Sequence, residues 1–206
     1  YVGRSLLALY QANADEQWLQ RSTEVMLALR EHLEDKALGG FFGSAPDGTE
    51  ITISRRKPLE DNAVAAHFLF LLGVATQDDN LKTIAEQAVR ATAAPAIVKR
   101  EGRMTGNVAI ALDLIAAGYV EFSVVGDPEN AAAQALLAAA QAVFESRKVI
   151  HFEARGRYPD QGRAAMYICN DSACSLPIFA PTAVGAEAIK FTPAVLSSAP
   201  LGGPTP

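Results

Sequence analysis

Two kinds of helical pattern alternate along this 206-residue chain, and that alternation restricts its possible folds more than any other feature. Segments 1–12, 61–75 and 104–118 are apolar nearly all round; Phe68, Leu69, Phe70, Leu71 and Leu72 run without a break in the second. A helix without a polar face is buried on most sides. Segments 14–34, 79–93 and 129–146 instead carry one apolar stripe, such as Leu81, Ile84, Ala85, Ala88 and Val89. Spacings of three and four keep that stripe on one face and turn the other face to water. Asp15, Asp78 and Asp127 stand where helix starts need acceptors for free N–H groups. Pro128 follows Asp127 at the position where a missing N–H is harmless. Inner helix then outer helix, repeated at intervals of about 45–60 residues, describes stacked helical hairpins. Closed on themselves, such hairpins form an α/α toroid of two concentric rings; left open, they form a solenoid. A plain helical bundle is the alternative.

Short strands interrupt the helices. Gly39-Gly40-Phe41-Phe42-Gly43 and Ile51-Thr52-Ile53-Ser54 flank the turn signal Pro46-Asp47-Gly48, which predicts a β-hairpin. Glu121–Val125 and Lys148–Glu153 are strand-like and separated by the 129–146 helix, the pattern of a parallel crossover. Ala165–Cys169 is a third strand. The expected fold is therefore mainly α: a partial α/α toroid over residues 1–180, with a small β-hairpin and a short C-terminal sheet. Residues 181–206, rich in Pro, Ala, Gly and Ser, are expected to form an irregular arm, disordered from about Leu201.

Composition narrows the partners. Half the residues are hydrophobic and a fifth charged, as in an ordinary globular chain. A net charge of −5 argues against a broad basic face, so neither nucleic acid nor a membrane is expected as a partner. No window holds the run of about 18 unbroken apolar residues that a membrane helix needs. The first residue already lies in a helical pattern, with no initiator Met and no signal-peptide pattern. The chain is accordingly expected to be the C-terminal piece of a longer, cytoplasmic protein.

Candidate chemistry gathers where loops meet the inner helices. In Arg55-Arg56-Lys57-Pro58-Leu59-Glu60-Asp61-Asn62, charged groups stand at the mouth of the most apolar helix. Asp61 and Glu60 are candidate acid and base for a sugar, since carboxylates about 5–10 Å apart perform glycoside chemistry. Adjacent carboxylates diverge on a helix, however, and capping by Asp61 or Asn62 is the simpler role. Arg56 and Asn62, with Asn107 at the mouth of the next inner helix, are candidate substrate-binding residues. Phe41 and Phe42 are candidate stacking platforms; the alternative is one buried ring and one ring at a rim. His67, among Phe and Leu, reads as a hydrogen-bonded core residue. His32, His67 and His151 are not spaced as metal ligands, and neither a metal nor a cofactor is expected. Cys169 and Cys174 read as buried free thiols, or as a disulfide if a turn at Asn170-Asp171 doubles the chain back. Thiol redox chemistry at the pair is a third functional reading.

These pieces resemble the C-terminal region of the DUF255, thioredoxin-domain-containing family that includes spermatogenesis-associated protein 20. The resemblance covers roughly residues 1–180. It is carried by Gly39-Gly40-Phe41-Phe42 with the Asp47-Gly48 turn, by Asp61-Asn62 leading into Ala63-Val64-Ala65-Ala66, and by Met166-Tyr167-Ile168-Cys169 through Cys174-Ser175-Leu176-Pro177. It departs before the inner helix, where Pro58-Leu59-Glu60-Asp61-Asn62 keeps only the Pro and the Asn of the family's stretch. The resemblance implies an α/α toroid of the six-hairpin glycosidase and N-acylglucosamine 2-epimerase type, preceded by a thioredoxin-like domain. It further implies a carbohydrate-active or carbohydrate-binding domain. A non-catalytic toroid that supports the thioredoxin-like domain is the alternative.

Overall fold

Eight helices and three strands make up the computed structural model, which describes residues 1–46, 55–103, 105–153, 157–159 and 161–192. Helix α1 (Val2–Asn13) and α2 (Glu16–Leu33) form one hairpin, and α3 (Leu59–Thr76) and α4 (Asp79–Thr92) a second. Each hairpin turns on a residue in the left-handed region, Ala14 or Gln77, followed by a capping aspartate. Asp15 accepts a hydrogen bond from the Gln17 N–H and Asp78 one from the Asn80 N–H. Links this short make the paired helices antiparallel neighbours. Helix α3 is the hub: Leu59, Asn62 through Val74 are buried. By length and composition α3 could cross a membrane, yet 72% of it is buried among this chain's own residues.

The expected alternation of buried and half-buried helices separates α3 from the rest and goes no further. Only Gly3, Leu7 and Tyr10 are buried in α1. In the third apolar helix, α6 (Gly106–Ala117), only Val108, Ala111 and Leu114 are. Helix α4, expected to be an outer one, buries a larger share, from Leu81 to Thr92. An apolar composition does not itself supply a neighbour: α1 and α6 lie against α3 on one side and leave Val2, Leu9, Ile110 and Leu112 exposed. A short helix that the pattern did not reveal, α5 (Pro95–Glu101), starts with proline at its first turn.

The C-terminal half is a small mixed sheet. Strand β1 (Val120–Val125) is parallel to β2 (Lys148–Glu153) and antiparallel to β3 (Ala165–Cys169), in the order β2-β1-β3. The crossover between β1 and β2 is α7 (Ala131–Ala142), as the sequence pattern predicts. Its start is corrected: Asn130, not Asp127, caps the helix by accepting from the Ala132 N–H. Asp127 accepts from Glu129 in the preceding turn. The helix also ends early, so Phe144, expected in its apolar stripe, is fully exposed.

The irregular arm is corrected too. Residues 181–191 form α8 (Pro181–Phe191), begun by a proline whose missing N–H costs nothing at that position. Val184 and Ala188, one turn apart, bury against the sheet. Helices α7 and α8 cover one sheet face, where Phe122, Val124, Ile150, Ile168, Leu136 and Val184 share a core. Of the expected hairpin, residues 39–43 form no strand, only an isolated bridge between Phe41 and Glu34, while its partner Ile51–Ser54 and the tail from Leu201 lie outside the described residues.

Candidate functional site

The loop between α2 and α3 is fastened to the start of α3 by one side chain. Gly40 has φ +78°, and a Cβ there would sit 3.0 Å from Asn62 Oδ1, so only glycine lets the loop approach. Asn62 then behaves as a strand partner. Its Oδ1 accepts from the Phe41 N–H at 2.7 Å, and its Nδ2 donates to the carbonyls of Phe41 (2.9 Å) and Pro58 (2.8 Å). Both amide donors of Asn62 and one acceptor position of its Oδ1 are thus used inside the protein. A second fastening is Lys57, which pairs with Asp35 at 2.8 Å and donates to the Gly39 carbonyl. That lysine holds the Asp35 carboxyl below its usual range.

This fastening puts Phe41 in the core and leaves Phe42 half-buried. The guanidinium of Arg55 lies 4.0 Å over the Phe42 ring and Lys57 Nζ lies 5.2 Å from its centre. Phe41, Phe42 and Asp61 line one apolar cavity of about 210 Å³, with Val25, Leu29 and Val64 in its walls. Glu60, one residue earlier on α3, faces elsewhere and accepts a hydrogen bond from Asn107 at the start of α6. Its other oxygen, Oε2, is buried and has no partner among the described residues. Arg56 is exposed. The start of α3 thus collects the candidate residues, but it divides them: Asp61, Phe41 and Phe42 on one side, Glu60 and Asn107 on another.

Two features carry chemistry that the sequence reading missed. The first is the sheet face turned away from α7 and α8. There the Arg157 guanidinium grips Glu121 through two bonds of 2.6 and 3.0 Å, although Glu121 is 2% exposed. Those bonds raise the already high pKa of Arg157 further. His151 Nε2 lies 3.0 Å from Ser123 Oγ, 3.0 Å from Glu153 and 3.2 Å from Glu121. The signal was the alternation of Glu121 and Ser123 with Phe122 and Val124, which marks a second buried face that is polar. The second feature is a cavity of about 410 Å³ between α1, α3 and β2, lined by Arg4, Leu7, Gln11, His67 and Phe68 among others. The buried Nδ1 of His67, expected to be hydrogen-bonded, has no partner among the described residues.

Cys169 and Cys174 are joined in a disulfide, with Cα atoms 4.1 Å apart, so the free-thiol reading does not hold. They face each other as an antiparallel bridge closed by the turn at Asn170-Asp171.

Compared with known proteins, no family model matches this chain, and no curated protein sequence matches it.

Proposed function

We propose that this chain is the C-terminal part of an α/α toroid of the six-hairpin glycosidase and N-acylglucosamine 2-epimerase type, as in DUF255 thioredoxin-domain-containing proteins. In this reading its cleft binds a carbohydrate. The toroid reading is supported by two successive antiparallel helical hairpins, α1 with α2 and α3 with α4, the second containing the buried α3. Exposed apolar residues on both flanks, Val2 and Leu9 on α1 and Ile110 and Leu112 on α6, would pack further hairpins of the same ring. The observation that carries the carbohydrate reading is the cavity at the start of α3, an apolar wall with the Asp61 carboxylate in it.

Binding is favoured over hydrolysis. Glycosidases set two carboxyl groups across one bond. Here Asp61 lines the cavity, while Glu60 is turned to Asn107. The non-catalytic scaffold is favoured by a different observation: Asn62 turns both its donors to this chain's own carbonyls, Asn107 donates to Glu60, and Arg55 covers the Phe42 ring.

Calorimetry against a panel of mono- and disaccharides separates these readings. Carbohydrate binding predicts saturable heat with the wild-type chain and at least about tenfold weaker binding for Asp61→Asn and Phe42→Ala. Absence of heat with every sugar, or equal affinities in the variants, leaves the scaffold.

A further inference from the structure

We propose that the Cys169–Cys174 disulfide is a thiol–disulfide exchange site, entered at Cys174 by a dithiol reductant, with Tyr158 as the residue that receives the leaving sulfur. Three observations carry it. The first is asymmetry. Cys169 is 2% exposed, whereas Cys174 is exposed, so an incoming thiolate has one accessible sulfur.

The second is the hydroxyl of Tyr158. It lies 3.1 Å from Cys169 Sγ and 3.9 Å from Cys174 Sγ, closer to the sulfur that would leave. The ring is held by stacking on Tyr167, with centroids 4.1 Å apart and planes 9° apart. Burial raises the Tyr158 pKa, so the hydroxyl keeps its proton and can donate.

The third is redundancy. Asn170 N–H donates to the Ala173 carbonyl, Ser175 N–H to the Ile168 carbonyl, and Ile168 N–H to Ser175 Oγ. The Asn170 side chain accepts from the Ser172 and Ala173 N–H groups as well. A crosslink across so short a loop, already closed by hydrogen bonds, adds the least that a crosslink can add to stability. Its placement beside a hydrogen-bond donor fits chemistry better than stapling.

The exchange balances. A thiolate of the reductant attacks Cys174 Sγ and forms a mixed disulfide. The Sγ–Sγ bond breaks, and its electron pair leaves on Cys169 Sγ, to which the Tyr158 hydroxyl donates a hydrogen bond. The second thiol of the reductant, as its thiolate, then attacks the reductant sulfur bonded to Cys174, and Cys174 leaves as a thiolate. The dithiol is oxidised to its disulfide, and its two protons end on Cys169 and Cys174.

The test is reduction of the native chain by dithiothreitol, quenched by alkylation and read by mass spectrometry, with glutathione used separately to trap the mixed disulfide. The proposal expects reduction without denaturant, glutathione attached to Cys174, and about tenfold slower reduction of Tyr158→Phe, the loss expected for one hydrogen bond to a charged group. That variant keeps the stacked ring and removes only the hydroxyl. The double variant Cys169→Ser/Cys174→Ser should melt within a few degrees of wild type. Four results would each overturn it: free thiols in the unreduced protein, reduction only after unfolding, glutathione on Cys169, or an unchanged rate in Tyr158→Phe.

Discussion

Asn62 does the work of a peptide unit. Two of its three hydrogen bonds meet the Phe41 N–H and carbonyl as a strand partner would, and the third goes to the Pro58 carbonyl. Asn62→Ala would leave the Phe41 N–H and carbonyl without those partners in a buried place, a loss of about 2–4 kcal/mol. A urea midpoint lowered accordingly checks this; Asn62→Asp, which keeps an acceptor but loses both donors, should restore only part. His67 makes the opposite kind of contribution. Burial, helped by the nearby charge of Arg4, pulls its pKa from the ordinary 6.5 to about 4. Below pH 6.5 the unfolded chain takes up a proton that the folded chain refuses until about pH 4. Folded stability therefore falls on acidification across that window, by at most about 3.5 kcal/mol at about 1.4 per unit. Unfolding of wild type and His67→Gln at pH 7, 5.5 and 4.5 should show the variant losing less. The polar character of both positions is legible in the sequence. The partners are not, because Asn62 meets a loop twenty-one residues away and His67 meets none through Nδ1.

At the scale of elements, boundaries depend on which side chain reaches the free N–H groups. Asn130→Ala removes the bond to Ala132 and should destabilise by about 1 kcal/mol, while Asp127→Ala, outside the helix, should have a smaller effect. Denaturant midpoints of the two variants decide where α7 begins. The sequence shows six of the eight helices and all three strands within a few residues, since periods of 3.6 and 2 are local properties. Burial is not local. Leu6-Leu7-Ala8-Leu9 and Ala109-Ile110-Ala111-Leu112 read as core, yet Leu9, Ile110 and Leu112 are exposed. Conversely, α8 is hidden in a composition of Pro, Ala and Gly, and its stripe is only Val184 and Ala188. Close helix contact also leaves a faint trace: a Cβ at Gly3 would lie 2.5 Å from the Phe68 ring, where α1 crosses α3.

As a whole, the molecule has a helical core around α3 and a second core between the sheet and helices α7 and α8. Gln11 is the seam. Its side-chain oxygen accepts from the Ile150 N–H on β2 at 2.9 Å, and its carbonyl accepts from Gln141 on α7 at 3.2 Å. Trp18, the single tryptophan, packs on the helical core and reports it by fluorescence. In the wild-type chain its transition should coincide with loss of hydrogen-exchange protection at Phe122 and Val124. Gln11→Ala should pull the two transitions apart. The candidate site sits wholly in the helical part, at the start of α3, and is legible as a place. Its division into an Asp61 side and a Glu60 side is not, because it depends on where α6 brings Asn107.

The Glu121–Arg157 grip also constrains how this sequence can drift. Glu121 without Arg157 would be a buried carboxylate that has lost its two-bond partner, a state disfavoured by roughly 3 kcal/mol, whereas Arg157 without Glu121 would keep Glu153 and its access to solvent. Lineages should therefore pass from this pair to an uncharged one by changing both positions close together, or by changing position 121 first, since Arg157 alone keeps Glu153. Among relatives, positions 121 and 157 should covary, although they lie thirty-six residues apart in the chain. An aligned set in which Glu121 stays while position 157 varies freely among uncharged residues would contradict this.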